Sequence, residues 1–218
     1  MASSRFTFDN FLIVPLRVHL LSASNAPAWH TTLKESDITR ILKKVNGIWS
    51  QAGIYFHVES VTREEANAQG QYELFQPQKN LQWLPRIRPE ASCSERLLHV
   101  YYVKDLPVNG IHFMEGNFVK DTASLREVPG GIDEPLPRVT SHELGHALGL
   151  MHRQNETNLL ASRTTGVSLN EEEIQRARDT AKGMTWVQSA SAGPAGTEEL
   201  RRFLKGIAEA DLPHKRLQ

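Results

Sequence analysis

One stretch constrains this chain more than any other: His142-Glu143-Leu144-Gly145-His146-Ala147-Leu148-Gly149-Leu150-Met151-His152. On a helix, positions i and i+4 leave the same face one turn apart, so His142 and His146 can present two imidazoles to one point. That spacing suits two nitrogens reaching one metal ion at about 2.0–2.1 Å each. Glu143 stands beside the first histidine and can face a water without itself binding a metal. Gly149 can adopt the left-handed conformation that ends a helix, and the chain can then turn to bring His152 back to the same ion. Three neutral nitrogens with one position left open is a catalytic zinc arrangement, because a structural site is closed by a fourth protein ligand. Two histidines on a helix face are often only solvated. Five fixed positions together are different, with a chance frequency on the order of one in ten thousand or rarer.

The window resembles the extended HExxHxxGxxH zinc signature of the metzincin metallopeptidases. The resemblance implies that His142, His146 and His152 hold one catalytic zinc ion and that Glu143 is the general base. It also implies an α+β fold: a mixed, twisted β-sheet with an antiparallel edge strand, a backing helix and an active-site helix, and a cleft between two subdomains. It covers roughly residues 12–182, specific at the motif and topological elsewhere. Two positions depart from the pattern. Leu160 falls where the family places a methionine beneath the metal, and Arg153 follows the third histidine where the better-known branches carry other residues. The nearest description is matrixin-like but atypical.

The rest of the chain is consistent with one domain and a short appendage. Its 218 residues are 39% hydrophobic and 23% charged, enough to bury a core. Lysine plus arginine and aspartate plus glutamate are both 25, so there is no basic stripe for nucleic acid and no membrane-surface patch. A lone Cys93 excludes an internal disulfide and a cysteine-rich zinc finger. No signal peptide or transmembrane run is evident, so the chain as it stands reads as cytoplasmic, or secreted if a leader has been removed.

Alternation over Leu12–Leu21 predicts a strand, and apolar spacing from Ile38 to Trp49 predicts a helix over about 34–51, with Ser36 or Thr32 as cap and Gly53 at its end. Ile54–Glu59 reads as a second strand, parallel to the first through a βαβ connection. Residues 62–96, broken by prolines, read as a long insertion with at most short helices. Strands are predicted at Leu97–Val103, Gly110–Met114 and Asn117–Val119, and helices at Leu136–Leu150 and about Asn170–Lys182. In the second helix Asn170 is the cap and Glu173 its capping-box partner, with Glu171–Glu173 serving the helix dipole. His99 and His112 read as solvent-facing strand histidines. The organisation expected is an N-terminal arm (1–11), a catalytic domain (12–188, zinc motif 142–152), a linker (189–196) and a C-terminal helical segment (197–218). That last segment should dock through Leu200, Phe203, Leu204 and Ile207.

By the same resemblance the substrate is a peptide or protein, extended antiparallel to the edge strand at Gly110 to Glu115. Gly110, Ile111, His112, Phe113 and Met114 are then candidate substrate contacts. Thr157–Gly166 would wall the pocket for the side chain after the cut, adding Leu160 and Thr165 as candidates. The implied chemistry is zinc-assisted hydrolysis of a peptide bond with Glu143 moving the proton. The alternatives are a zinc amidase acting on a non-protein substrate and a non-catalytic, zinc-stabilised peptide-binding module. Oligomeric state is open, with a monomer favoured.

Overall fold

The computed structural model describes residues 8–67, 81–93, 96–114, 116–191 and 198–210. Strand β1 (Asn10–Ser22) is the longest of the sheet among the described residues. Helix α1 (Glu35–Trp49) follows, capped at Lys34, whose backbone N–H donates to Asp37 Oδ2 at 2.8 Å, rather than by Ser36 or Thr32. A short 3₁₀ turn, Ser50–Ala52, ends at Gly53 with φ 59°, and β2 (Ile54–Glu65) returns parallel to β1. Next come β3 (Leu98–Val103), β4 (Gly110–Phe113) and β5 (Gly116–Lys120). The order is β2-β1-β3-β5-β4, parallel except for β4, which is antiparallel at the edge. The expected mixed sheet with an antiparallel edge strand is therefore what the chain forms.

Helix α2 (Pro135–Ala147) carries the motif, and α3 (Glu171–Gly183) begins at the Asn170 capping box. Helices α1 and α2 pack together, and α2 lies against β4 and β5. The sheet is covered on both faces. Val100 and Tyr102 enter the core with α1 and α2, while Tyr101 and Val103 enter a second core with Trp29, Leu84 and Ile87. The last two belong to a 3₁₀ segment, Leu81–Ile87, in the part expected to hold only short helices. Double coverage explains why β3 buries side chains on both faces.

Boundaries differ from expectation in several places, among them β2, which runs on to Glu65, into the stretch expected to be an insertion, because its far end keeps pairing with β1. Phe11, assigned to an N-terminal arm, is fully buried in β1. Residues 189–191, assigned to a linker on composition, belong to β6 (Gln188–Ser191), which pairs antiparallel with Asn10–Ile13. Small residues suffice there because backbone hydrogen bonds make the pairing, with Ala190 alone packing on the Phe11 cluster. Helix α4 (Glu198–Ala210) buries Leu200 and Leu204 against Phe11 and Tyr55, with Phe203 alongside. Tyr55 donates to Glu199 at 2.7 Å. The side chain of Ile207, residues 192–197 and 211–218, residues 1–7, 68–80, 94–95 and Glu115 lie outside the described residues. Among those described, no helix is long and apolar enough to cross a membrane.

Candidate metal centre and cleft

Helix α2 brings His142 and His146 onto one face, and Gly149, at φ 78°, turns the chain so that His152 joins them. Among the described residues this is the one group of three or more side chains whose ligand atoms could hold a metal ion. The three Nε2 atoms form a triangle with every edge 3.2 Å. Two ligands in a tetrahedral shell at about 2.0–2.1 Å from zinc would lie about 3.3–3.4 Å apart, so the triangle fits that ion closely. In two of the rings the opposite nitrogen bears on the tautomer. His142 Nδ1 lies 2.8 Å from the Leu159 carbonyl and His146 Nδ1 lies 2.8 Å from the Leu150 carbonyl. A carbonyl can only accept, so His146 Nδ1 is a donor and its neutral ring keeps the Nε2 lone pair for a metal. At His142 the carbonyl contact is shorter than the 3.1 Å contact of Arg138 Nη1 with the same nitrogen, which favours the same tautomer.

Burial favours these neutral forms. It pulls His142 down to about 3, aided by the nearby Arg138 cation, and it also lowers His146. Burial pushes the Glu143 carboxyl up to about 8, against the opposing pull of Arg138. Glu143 is held between α2 and the start of β4. A Cβ on Gly110 would come within 2.6 Å of its Oε1, so only glycine lets the edge strand pass this close to the carboxylate.

Sequence reasoning missed Arg138, one turn before His142 on the same helix face. Its side chain is only 2% exposed. Nε donates to the Gly166 carbonyl at 3.1 Å, and Nη2 donates to the carbonyls of Ala161 and Asn158. The guanidinium thus pins the segment after His152 beneath the helix. Burial lowers it to about 10, so it stays charged at neutral pH. The i−4 spacing from a ligand was the available signal.

Glu173 does more than serve a helix dipole. At 1% exposure its carboxylate accepts from Arg153 Nε at 2.6 Å, from Asn158 Nδ2 at 2.8 Å and from the Asn170 backbone at 2.9 Å. Asn158 Oδ1 in turn accepts from the Leu160 backbone at 2.7 Å. The residue after the third histidine is thereby tied to the turn beneath the metal centre.

An open cleft of about 1150 Å³ runs past the triad, lined by Gly110, Ile111 and His112 from β4 and by Glu143. Phe113 and Met114 line a neighbouring cavity instead. Leu160 and Thr165, expected to touch substrate, line neither. Leu160 is fully buried under Gly145, where a Cβ would meet its methyls at 3.4 Å. Thr165 is buried too, its Oγ1 accepting from the Val128 backbone at 3.0 Å. Both are structural because the turn after His152 folds inward. His99 is also buried, not solvent-facing, since its face of the sheet is the covered one.

No protein-family model matches the sequence, and no curated protein matches it. Among solved structures, metalloproteinase-II from Bacteroides fragilis is similar at 16% identity with a TM-score of 0.48, over 77% of this chain and 53% of that one. This chain thus spans about half the length of that protein's chain. Archaemetzincin from Methanopyrus kandleri is similar at 17% identity and TM-score 0.39, over 88% of this chain and 96% of the other. A zinc-dependent peptidase from Methanocorpusculum labreanum gives 14% identity and TM-score 0.34, over 75% and 99%. Likenesses this distant carry no inference about chemistry, which rests on the chain's own residues.

Proposed function

We propose that this chain is a zinc-dependent endopeptidase with a metzincin-like centre. The observation that carries the reading is the convergence of three Nε2 atoms at 3.2 Å, in a cleft that Glu143 also lines. His142, His146 and His152 would hold the ion. Three imidazoles suit zinc better than a hard cation such as calcium, which prefers oxygen ligands. Bound there, zinc would supply Lewis acidity, polarising a carbonyl and acidifying a water.

The protein's own groups do the rest. Among the described residues β4 is paired on one side only, so an extended peptide can add to its free edge by backbone hydrogen bonding. Glu143, packed against Gly110 at the start of that edge, orients the attacking water and accepts its proton. It then returns the proton to the leaving amide nitrogen. Arg138, whose Nη1 lies 3.1 Å from His142 Nδ1, and Glu173, which holds Arg153 and Asn158, keep His142 and the turn behind His152 in place. A cleft open along the sheet edge suits an internal bond of a longer peptide.

The test is metal analysis of the purified protein together with digestion of a peptide mixture. One zinc per chain and internal cleavage are expected. Glu143→Ala should keep its zinc and its melting temperature, while hydrolysis falls by at least about 10²–10⁴-fold. Loss of zinc in that variant would make Glu143 a ligand and overturn the assignment.

A further inference from the structure

We infer that the second cavity, at the far end of β4 from Glu143, is a recognition pocket for a large apolar side chain on the N-terminal side of the bond to be cut. This rests on the endopeptidase reading. The cavity has a volume of about 760 Å³, and His112 lines both it and the cleft, so the two spaces adjoin at that residue. Strand β4 runs from Gly110, beside Glu143, to Phe113, beside the cavity. A peptide added antiparallel runs the opposite way, with its N-terminal part at Phe113. At about 3.3 Å per residue, the cavity serves a position within roughly three residues before the bond.

The lining sets the chemistry of the occupant. Leu97, Phe113, Met114, Met184 and Trp186 supply apolar surface. Met114 is 98% exposed and Met151, at the cleft, 68%; these are the two exposed large hydrophobics among the described residues. Apolar side chains kept in water at the mouths of adjoining cavities are surfaces for a ligand to cover, and methionine adapts to varied shapes. The polar groups in the wall are already engaged. Asn117 Nδ2 donates to the His99 carbonyl at 2.9 Å, and Asn117 Oδ1 is 2.8 Å from His112 Nδ1. Arg88 Nε donates to the Pro85 carbonyl at 2.8 Å, and its Nη1 lies 3.6 Å from Cys93 Sγ. An acidic occupant would have to compete with those contacts, whereas an apolar one need not.

The test uses one peptide library, made by tryptic digestion of a whole proteome, in two arms. Wild-type, zinc-loaded protein is assayed for cut sites by mass spectrometry. The Glu143→Gln variant is assayed for the intact peptides it retains. Phe, Leu or Met should be enriched about tenfold or more over Ala and Gly at one position before the cut, within the usual reach of apolar pockets. Trp186→Ala should reduce that enrichment at least about fivefold and leave the preference after the cut unchanged. Met114→Ser, altering a side chain already in solvent, should reduce it in the same direction and guards against misfolding of the tryptophan variant. Cleavage without such enrichment, or enrichment indifferent to both substitutions, would overturn the pocket while leaving the peptidase. Selective retention by Glu143→Gln, sensitive to Trp186 and Met114, with no cleavage by wild type, would overturn the peptidase and keep the pocket.

Discussion

Two groups of histidines lie in this molecule, and they use their nitrogens in opposite ways. In the triad, Nδ1 of His142 and of His146 is spent on a backbone carbonyl, and all three Nε2 atoms are aimed at one another. On the covered face of the sheet, His19 Nδ1 contacts the Glu64 carboxylate and its Nε2 lies 2.8 Å from His99 Nδ1. Glu64 also accepts from Ser92 at 2.8 Å, and Tyr101 stacks on His19 at 4.2 Å. That group is a chain in which each His19 nitrogen has its partner. The triad is a convergence that brings three Nε2 atoms to one point. The sheet-face pair is buried, whereas the triad runs from buried His142 to exposed His152, and the direction of the ring nitrogens distinguishes a metal centre from a polar core network.

The largest effect should separate the two groups outright. His152→Ala removes one corner of the triangle, and zinc occupancy and hydrolysis should both be lost. His99→Gln should keep stoichiometric zinc. Metal analysis of the two variants decides it, and a zinc-replete His152→Ala would mean that another residue supplies the third ligand.

Next in size is Glu173→Ala. It strips a partner from Asn158, Arg153 and the Asn170 backbone at once, and should destabilise the fold by about 2–4 kcal/mol. Zinc affinity should fall with it, because Arg153 adjoins His152. Chemical denaturation with and without zinc would show a narrower zinc-dependent gap than in wild type, because weaker binding stabilises the folded state less. An equal loss in both would make Glu173 a helix-capping residue alone.

The sheet-face group should reveal itself by acid. Burial lowers His19 from 6.5 to about 4, despite the raising effect of Glu64. Between those values the unfolded chain binds a proton that the folded chain does not, so stability is full above about pH 6.5 and declines as pH falls towards 4. The shift corresponds to roughly 3 kcal/mol. Denaturation at stepped pH should show a shallower decline in His19→Gln than in wild type. A parallel decline would mean that His19 is charged in the folded state.

The smallest effect expected is at Leu160. Leucine and methionine have similar volumes, so Leu160→Met should cost less than about 1.5 kcal/mol and leave zinc content unchanged. A larger loss would show the space under Gly145 to be shaped for a branched side chain.

The sheet-face histidines also show where reading from sequence fails. His99 alternates with apolar neighbours, and alternation normally sends the polar residue to water. That inference needs one open face, and this sheet has none near β3, because the Leu81–Ile87 segment and Trp29 cover the second face. Linker-like composition failed at Ser189–Ser191 for a related reason: pairing with β1 is made by backbone groups, which every residue carries.

Short-range geometry was written in the chain. The i, i+4 spacing of His142 and His146, the left-handed turn at Gly149, the capping box at Asn170 and the βαβ start each depend on residues near one another in sequence, where covalent geometry alone limits the choices. Helix α4 was equally legible from its apolar stripe, and it buries Leu200 and Leu204 as that stripe implied. What only the tertiary structure decided is every relation across a long loop. The burial of Arg138 over the carbonyls of the following turn, the Glu173 tie from α3 to Arg153, the inward position of Leu160 and Thr165, and the approach of Gly110 to Glu143 are of this kind. So is the second cavity, assembled from Leu97, Phe113 and Trp186 on segments far apart in sequence. A pattern of residues can state that a side chain will be buried, but its partner is selected only when the packed sheet and helices bring distant segments within hydrogen-bonding reach.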